Sequence, residues 1–499
     1  MNAFTAANAA ELVSRADLIG LLPEMILAGA GIVILLLDAI APRLRRAFTL
    51  LALLGTGAAA WGANVAWRTA PGDSFLTWGG LLETSGATYA LSLVVLLATG
   101  LCLLASQGYL RREGILSGEY HALLLWCATG LLLMLRATEL LTIFLALELF
   151  SFCLYTLAAF HRRINIAGEA AIKYFLMGAF VSSFVLYGIA LLYGATGSTR
   201  LAEIGPALTG ASTGGSVPVI GTLGLLLLVA GFGFKMSIVP FHAWSPDTYQ
   251  GAPSPFVAFL SVAPKVASAL VLFRLLDAAV AGGVAEAIEK WSGVIAALSV
   301  MSMLVGNLLA LAQRDIKRML AYSGVAHMGY LLLALVTMDR GSLMPVIVYL
   351  LAYVLMNAGA FTVVSMLYSK PGEQHLISDL SGYGYRYPLL GACLGVCMLS
   401  LGGIPPTVGF LGKYLVFLNA VGDGLIGLAV LGVLASLVGV FYYLRVVYVL
   451  YMKAEERQPE GLLLDVWGRT AAVVAAVGTL ALGIWPTGLL QWLLETTAR

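Results

Sequence analysis

Long apolar segments follow one another from end to end of the chain, separated by short polar or basic loops. Each segment holds about 20 apolar residues, the length with which an α-helix crosses the hydrocarbon core of a membrane. A membrane β-strand would instead show about ten residues of alternating polarity, and the sequence contains no such run. The pattern therefore predicts about 14 transmembrane helices. Their approximate limits are 18–40, 47–67, 86–107, 119–136, 139–160, 168–194, 218–239, 254–276, 291–312, 317–337, 343–368, 387–418, 424–451 and 469–493.

Two of these segments contain residues that break a helix. The seventh has Gly231, Gly233 and Pro240 near its end, and the twelfth contains the run Gly402-Gly403-Ile404-Pro405-Pro406. Proline lacks the amide donor that a helix needs and clashes with the preceding turn. Broken backbone at membrane depth is tolerated only where protein or a water-filled cavity covers it. Two interrupted helices in separate parts of the chain suggest an internal repeat of about five helices.

The composition is that of a polytopic all-α membrane protein. Hydrophobic residues make up 60% of the 499 residues and charged residues 11%, whereas soluble proteins average about 25% charged residues. All five cysteines lie inside apolar segments and form no CxxC motif, which argues against iron–sulfur and zinc sites. The acidic, polar N-terminus does not resemble a cleaved signal peptide.

Basic residues concentrate in the loops that follow odd-numbered segments, as they do in the cytoplasmic loops of membrane proteins. These loops hold Arg43, Arg45, Arg46, Arg111, Arg112, Arg162, Arg163, Arg314, Lys317, Arg318, Lys370, Arg386, Lys453, Arg457 and Arg469. The loops after even-numbered segments hold Arg136, Arg200, Arg274, Lys290 and Arg340. The distribution predicts that both termini face the outer, periplasmic side.

Three of the eight lysines, Lys235, Lys265 and Lys413, lie well inside apolar segments. Placing three ammonium groups there costs roughly 8–10 kcal/mol on membrane-insertion scales, and such residues by default mark an ion or proton path. A lysine that is removed from water can act as a proton donor and acceptor near neutral pH. The alternative is that each side chain extends to an interface or forms a static ion pair.

Two further titratable residues lie inside apolar segments. A buried carboxylate such as Glu148 needs a cationic partner, and Lys235 is the obvious candidate. The pair could modulate the pKa of the lysine, or it could be a structural salt bridge. His327 is a candidate proton relay or a hydrogen-bonded structural histidine. A hydrated chain could continue through hydroxyl and amide side chains, although helix packing explains these equally well; they are Tyr322, Ser323, Tyr353 and Asn357.

Other polar residues have less specific interpretations. Glu139, near a segment end, is interpreted as a helix cap. His242 and Asp247 belong to the turn after Lys235, where hydrogen bonds that hold the fold compete with a role in proton uptake.

Several motifs resemble one known family, the antiporter-like proton-translocating membrane subunits of NADH–quinone oxidoreductase, respiratory complex I. The motifs are Lys235 with the turn Pro240-Phe241-His242-Ala243-Trp244-Ser245-Pro246-Asp247, Gly251-Ala252-Pro253, Lys265, Ser323 to Tyr330, and Gly403 to Lys413. The resemblance covers about residues 115–455, and the turn motif is highly specific. Among such subunits the chain most resembles subunit N, because of its start Leu21-Leu22-Pro23-Glu24-Met25. Lys413 fits subunit N or L, and the sequence has no long lateral helix of the kind expected in subunit L after its fourteenth segment.

The resemblance implies 14 helices with two inverted five-helix repeats and broken seventh and twelfth helices. The implied regions are 1–115 for helices 1–3, 116–280 and 281–455 for the two repeats, and 456–499 for the last helix. It implies that Glu148 and Lys235 act as a coupled pair, Lys265 as a central relay and Lys413 at the outlet. His327 is added to this relay as a candidate from its own position inside an apolar segment, and a structural role stays the alternative.

The resemblance also implies a setting for the chain. Flavin, iron–sulfur clusters, NADH and quinone belong to other subunits of the complex, and this chain binds no cofactor or metal. Its partners are the other membrane subunits, including neighbouring antiporter-like ones, together with lipids and no nucleic acid. The location is a bacterial inner membrane. Two alternatives stay open: a subunit of a multi-subunit Na⁺/H⁺ antiporter, and a structural subunit that moves no protons.

Overall fold

The apolar segments form helices, as predicted. The computed structural model describes residues 14–70, 72, 74–161, 164–209, 219–280, 285–337, 341, 343–367, 375–454 and 465–497. Within these residues, 12 helices are long and apolar enough to cross a membrane, and two shorter apolar helices flank the Pro405-Pro406 break. The prediction of an all-α polytopic membrane protein is confirmed at this level.

The N-terminal part contains five helices and a small hairpin. The helices are α1 (Arg15–Gly20), α2 (Leu22–Ile40), α3 (Phe48–Thr69), α4 (Gly86–Arg112) and α5 (Gly118–Arg136). Between α3 and α4 the antiparallel strands β1 (Ser74–Thr77) and β2 (Leu82–Ser85) pair with each other, a hairpin that the hydropathy pattern did not predict. The buried Arg136 holds this hairpin to the helices, because it donates to Thr84 Oγ1 and forms an ion pair with Glu24 at 2.9 Å.

The middle part contains the predicted break near Lys235 and a second break that was not predicted. Its helices are α6 (Leu140–Ala158), α7 (Asn165–Thr196), α8 (Leu201–Thr209), α9 (Val219–Met236), α10 (Trp244–Gly251), α11 (Ser254–Leu260) and α12 (Ala263–Val280). The turn from Ser237 to Ala243 separates α9 from α10, as the proline predicted. Ser261 and Val262 interrupt what was predicted as one helix over 254–276, so that Lys265 lies in the first turn of α12.

The C-terminal part contains the other predicted break. Its helices are α13 (Ala285–Ala312), α14 (Ile316–Leu335), α15 (Leu343–Tyr353), α16 (Gly359–Leu367), α17 (Tyr383–Arg386), α18 (Pro388–Gly402), α19 (Val408–Gly422), α20 (Ile426–Met452), α21 (Val466–Ile484) and α22 (Thr487–Thr497). The segment around Pro405 separates α18 from α19. A π-helical turn, Val354–Ala358, joins α15 to α16 and was not predicted.

Two helical segments form the centre of the molecule. The segment 254–280 is buried along its whole apolar window, and 343–367 along 94% of it. Peripheral helices such as α7 and α20 instead expose many apolar side chains, including Phe180 and Leu437. Such large exposed apolar faces are compatible with lipid or with other membrane subunits. The polar residues on the two central segments are therefore shielded by protein on all sides.

Candidate functional site

Lys235 lies at the end of α9, immediately before the break, and only 3% of the residue is exposed. Its ammonium group donates to Ser151 Oγ at 2.8 Å and to Tyr155 OH at 3.4 Å, both on α6. The rings of Phe150, Tyr155 and Phe234 lie 5.5–5.9 Å from Nζ, a range in which aromatic faces attract cations. Lys235 is thus a buried cation held by hydroxyl groups and aromatic rings.

Glu148 does not form the expected direct pair with Lys235. Among the described residues no ion pair within 4.0 Å joins the two side chains, and Glu148 Oε1 is buried without a hydrogen-bond partner. Ser151 follows Glu148 by one turn of α6, so the carboxylate and the ammonium group approach the same stretch of that helix. The Ser151 hydroxyl, rather than the carboxylate, receives the hydrogen bond from Lys235.

Lys265 is fully buried at the start of α12. Its ammonium group donates to Tyr353 OH at 3.2 Å, and Nζ lies 5.2 Å from the centre of the same ring. Asn357 donates to Tyr353 OH at 3.3 Å and to Ser261 Oγ at 2.8 Å. Tyr353 and Asn357 were among the residues proposed from sequence to continue a polar chain. Their hydrogen bonds do extend such a chain from Lys265 to Ser261.

His327 joins two tyrosines that the sequence analysis did not single out. The ring is buried on α14, with Nδ1 2.6 Å from Tyr349 OH and Nε2 3.1 Å from Tyr443 OH. Tyr443 in turn donates to Ser323 Oγ at 2.7 Å. The His327 ring also lies 5.3 Å from the Tyr353 ring, which contacts Lys265. His327 thus lies in one polar cluster with Lys265 and hydroxyl groups from α14, α15 and α20.

Lys413 is 5% exposed on α19. It donates to Leu401 O at 3.0 Å, to Gly402 O at 3.1 Å and to Ser436 Oγ at 2.8 Å. The two carbonyls belong to the last turn of α18, where helix ends leave backbone oxygens without intrahelical partners. The negative end of the helix dipole lies there as well and favours a cation. The predicted break therefore supplies the groups that hold this lysine.

Polar side chains lie between the His327 cluster and Lys413. The Lys413 Nζ lies 5.2 Å from the centre of the Tyr330 ring. Tyr330 OH accepts from Asn307, whose Oδ1 accepts from Tyr442 at 3.0 Å. Tyr442 and Tyr443 have ring centres 4.4 Å apart. Lys265, His327 and Lys413 thus belong to one buried region rich in hydroxyl groups, whereas Lys235 is attached to a different set of partners.

Ion pairs between side chains connect the region after the Lys235 turn to neighbouring helices. Asp247 on α10 lies 2.6 Å from Arg318 Nη1 and 3.2 Å from Lys173 Nζ, so it joins α7, α10 and α14. Burial by itself would raise the pKa of Asp247, but the hydrogen bonds and charges of Arg318 and Lys173 outweigh burial and hold the pKa below its ordinary value. This stabilisation is present above the unfolded-state pKa and is lost as the pH falls through the lower folded-state pKa. These contacts support the structural interpretation of Asp247.

The structure also shows the surroundings of His242 and Glu139, two polar residues that the sequence analysis discussed. Burial lowers the pKa of His242, while a hydrogen bond with the Pro240 backbone opposes the shift. Its Nδ1 is buried without a partner. Glu139 caps α6 by accepting from the Thr142 amide at 2.8 Å, which confirms the interpretation as a cap.

A cleft in the described part of the chain is lined by Lys413. Its volume is about 530 Å³, and its walls come from α19 and α20, with Phe410, Phe417 and Leu437 among the apolar residues around Lys413. Within the described part of the chain, no group of three or more His, Cys, Asp or Glu side chains could hold a metal ion. The chemistry that this arrangement supports is proton transfer among amines, an imidazole and hydroxyl groups.

For the five titratable residues proposed from sequence, most of the partners that the structure shows were not predicted. The missed partners are Ser151, Tyr155, Asn307, Tyr330, Tyr349, Ser436, Tyr442 and Tyr443. The only signal in the sequence was the presence of tyrosine, serine or asparagine inside an apolar segment, and many such residues merely pack helices.

Comparisons with known proteins agree with this arrangement. The sequence matches the family described as "NADH:quinone oxidoreductase/Mrp antiporter, TM" over residues 137–439. NADH-quinone oxidoreductase subunit N of Trichlorobacter lovleyi is 39% identical over 486 residues, which cover 97% of this chain and 98% of the relative.

Two solved structures extend the comparison. A chain of respiratory complex I from Thermus thermophilus, solved with bound aureothin, has a TM-score of 0.77 and 34% identity, and the match covers 94% of this chain and 98% of that one. A chain of the Mrp complex from Dietzia sp. DQ12-45-1b has a TM-score of 0.82 at 20% identity, with 97% of each chain covered. At that identity the second likeness shows the fold alone. The chain therefore belongs to the family of transmembrane subunits of NADH:quinone oxidoreductases and Mrp antiporters, and its resemblance to subunit N of the oxidoreductase is confirmed.

Proposed function

We propose that this chain is a proton-translocating membrane-arm subunit of NADH–quinone oxidoreductase. Glu148, Lys235, Lys265, His327 and Lys413 form its proton relay, and quinone reduction elsewhere in the complex drives it. The observation that carries the proposal is the burial of three lysines that form no ion pair within the described residues and whose partners are hydroxyl, carbonyl and aromatic groups. Static ion pairs would have required carboxylates beside them.

The contacts suggest how protons move. Hydroxyl groups donate and accept at once, so Tyr353 can pass a proton on from Lys265 toward the imidazole of His327. Tyr443 and Tyr442 continue from there, and Asn307 holds the hydroxyls of Tyr442 and Tyr330 in place on the side of Lys413 without itself carrying the proton. Gaps longer than a hydrogen bond need bridging water, which can connect polar groups at little cost. In this scheme Glu148 changes the electrostatic field at Lys235 across one helical turn rather than by a direct bond.

The proposal includes the finer architecture. Fourteen membrane segments result when α14 and the pair α18–α19 are added to the 12 long apolar helices. Two inverted repeats occupy 116–280 and 281–455, with 1–115 before them and 456–499 after them. The similar placement of Lys235 and Lys413 beside broken helices supports the repeat.

The proposal also includes the membrane location, the orientation and the partner subunits. The chain lies in a bacterial inner membrane with both termini in the periplasm, among other membrane subunits of the complex and in contact with lipids. NADH, flavin, iron–sulfur clusters and quinone bind to partner subunits.

The test combines the identification of co-purifying subunits with a measurement of proton pumping. Affinity purification of the tagged chain from its native membrane should recover flavin and iron–sulfur subunits. In membrane vesicles, Lys235→Ala, Lys265→Ala and Lys413→Ala should each lower NADH-driven proton pumping per assembled complex. Full pumping by Lys265→Ala would refute the relay, since Lys265 is the lysine that donates to Tyr353 at the centre of the proposed path.

The second candidate is a subunit of a multi-subunit Na⁺/H⁺ antiporter. The observation that favours it is the fold likeness to the Mrp complex chain, at a higher TM-score but a much lower identity than the complex I chain. Recovery of the chain without redox subunits, together with Na⁺/H⁺ exchange in proteoliposomes, would establish this function instead.

A further inference from the structure

The hydrogen bonds of Lys235 and Lys265 lead to separate partners. Lys235 donates to Ser151 and Tyr155 on α6, and Lys265 donates to Tyr353 on the segment 343–367. Among the described residues, no direct hydrogen bond links the first group to the second. A relay that uses both lysines therefore needs an additional polar group between them.

An aromatic cluster occupies the region beside Lys235 and extends away from it. The ring of Phe234, next to the lysine in sequence, lies 5.2 Å from Trp244, and Trp244 stacks on Tyr174 at 4.6 Å. Trp244 also lies 6.2 Å from the ring of Tyr249, which contacts Phe361 at 5.9 Å. Phe361 belongs to α16, in the same buried segment as Tyr353. Tyr249 thus lies where the Lys235 surroundings meet the central segment 343–367, whose Tyr353 accepts a hydrogen bond from Lys265.

The Tyr249 hydroxyl is buried without a hydrogen-bond partner. The Tyr249 ring contacts Trp244, which stacks on Tyr174, and Phe361, which belongs to the same segment as Tyr353. Asn357 Oδ1, on the residue that donates to Tyr353, is also buried without a partner, and so is Thr248 Oγ1 beside Tyr249. Buried polar atoms in native proteins nearly always have a partner, which includes ordered water. The unpartnered atoms of Tyr249 and Asn357, the second of which donates to Tyr353, are therefore groups to which water can bind.

We propose that the Tyr249 hydroxyl carries protons between Lys235 and Lys265 through a bridging water on each side. The step conserves charge at the tyrosine: its O–H bond breaks as the proton passes toward Lys265, and the same oxygen binds a proton that comes from Lys235. Lys235 becomes a neutral amine, Lys265 becomes an ammonium, and Tyr249 is neutral before and after. This inference rests on the proposed proton relay and adds a carrier to it.

A purely structural Tyr249 would act through its ring, which packs against Trp244 and Phe361. Tyr249→Phe keeps that ring and removes only the hydroxyl, whereas Tyr249→His replaces the phenol with another group that can accept and donate a proton. The matched control is Tyr120→Phe, which removes a hydroxyl that is equally buried but bonded to Ser106 at 2.8 Å, away from the relay. Lys265→Ala serves as the reference for a broken relay.

The experiment uses the assembled complex in inverted membrane vesicles. Proton pumping and NADH oxidation are measured for each variant and normalised to complex content. Tyr249→Phe should lose as much pumping as Lys265→Ala, Tyr249→His should retain more than Tyr249→Phe, and Tyr120→Phe should pump like the unmodified complex. Normal pumping by Tyr249→Phe, or an equal loss in Tyr120→Phe, would overturn the proposal.

A second measurement avoids any change of shape at this position. Replacement of Tyr249 by a fluorinated tyrosine makes the phenol more acidic with almost no change of size, and should shift the pH profile of pumping. An unchanged profile would overturn the inference even if Tyr249→Phe failed to assemble. If the Lys265→Ala variant loses pumping while Tyr249→Phe does not, only this inference fails; if Lys265→Ala pumps normally, the proposed function fails.

Discussion

Three buried lysines share a residue type but not an environment. Lys413 has two backbone carbonyls and a hydroxyl as acceptors, Lys235 has two hydroxyls and three aromatic rings, and Lys265 has the Tyr353 hydroxyl and ring. An ammonium group has three donors to satisfy. Lys413 is therefore the most completely bonded of the three, and Lys265 the least. These differences are what a relay requires, because protons move between sites that hold them unequally.

A substitution that keeps the charge tests whether Lys265 must release its proton. We expect Lys265→Arg to assemble and to pump well below the unmodified complex, because guanidinium stays protonated at any physiological pH. Proton pumping in vesicles, normalised to complex content, measures the effect. Lys317→Arg is a suitable control, since Lys317 is also buried but donates to the Ala252 carbonyl, outside the relay. Full activity of Lys265→Arg would show that a permanent positive charge is sufficient at this position.

Glu148 allows a complementary test at the residue scale. Glu148→Gln removes the charge with little change of shape, and we expect impaired pumping in a complex that still assembles. The reason is that a carboxylate near the Ser151 turn acts on Lys235 by its field, which the neutral amide cannot reproduce. Blue-native electrophoresis would verify assembly, and vesicle pumping would measure function. If the variant assembles and pumps normally, Glu148 has no part in the relay.

Helix breaks determine where polar groups can exist inside this molecule. The end of α18 offers carbonyls to Lys413, and the break between α11 and α12 places Ser261 within reach of Asn357. The π-helical turn Val354–Ala358 contains Asn357 itself, and such turns are frequent at functional sites. A continuous helix would have used the carbonyls of Leu401 and Gly402 internally. The interruptions thus supply part of the polar interior, and side chains on regular helices supply the rest.

Close helix packing around Lys265 gives a prediction at the element scale. A Cβ at Gly324 on α14 would lie 2.8 Å from Lys265 Nζ and 2.8 Å from Tyr353 OH. Gly324→Ala should therefore displace the flexible end of the lysine, lowering pumping while assembly is largely kept. Gly293→Ala on α13 is the control, because nothing lies within 4 Å of its added Cβ. Equal pumping by the two variants would contradict the importance of the Lys265–Tyr353 contact.

Charge distribution acts at the scale of the whole molecule. Some basic residues of the even-numbered loops are paired, as Arg136 is with Glu24 and Arg274 with Glu83. Basic residues of the odd-numbered loops are paired too, as Arg45 is with Asp38. The orientation rule counts arginine and lysine rather than net charge, and their excess in the odd-numbered loops is large. Arg162, Arg163, Arg340, Lys370 and Arg457 lie outside the described residues, and so does the side chain of Lys290. The orientation with both termini outside stays a prediction.

A reporter test addresses that orientation directly. An alkaline phosphatase fused after Arg499 should be active, because this enzyme folds only in the oxidising periplasm, whereas a fluorescent protein that requires the cytoplasm should be dark. Arg499 lies outside the described residues, so the fusion point rests on the charge pattern. A cytoplasmic reporter signal at this position would reverse the proposed topology.

Hydropathy by itself determined the membrane class, the approximate helix limits and the two main breaks. These are local properties: 20 consecutive apolar residues, or a proline within them, have the same consequence wherever the chain folds. The same reasoning identified Lys235, Lys265 and Lys413, because an ammonium group inside an apolar segment is anomalous before any partner is known.

Only the tertiary structure decided which side chains meet. His327 contacts Tyr443 across 116 positions, and Arg136 contacts Glu24 across 112. No pattern of period 3.6 or 2 carries information over such separations, since these contacts depend on how distant helices pack. For the same reason the sequence suggested a direct Glu148–Lys235 pair, whereas packing presents Ser151 and Tyr155 to the lysine. The residues that are chemically conspicuous can be found in the sequence, but their connections arise from the packing of the helices.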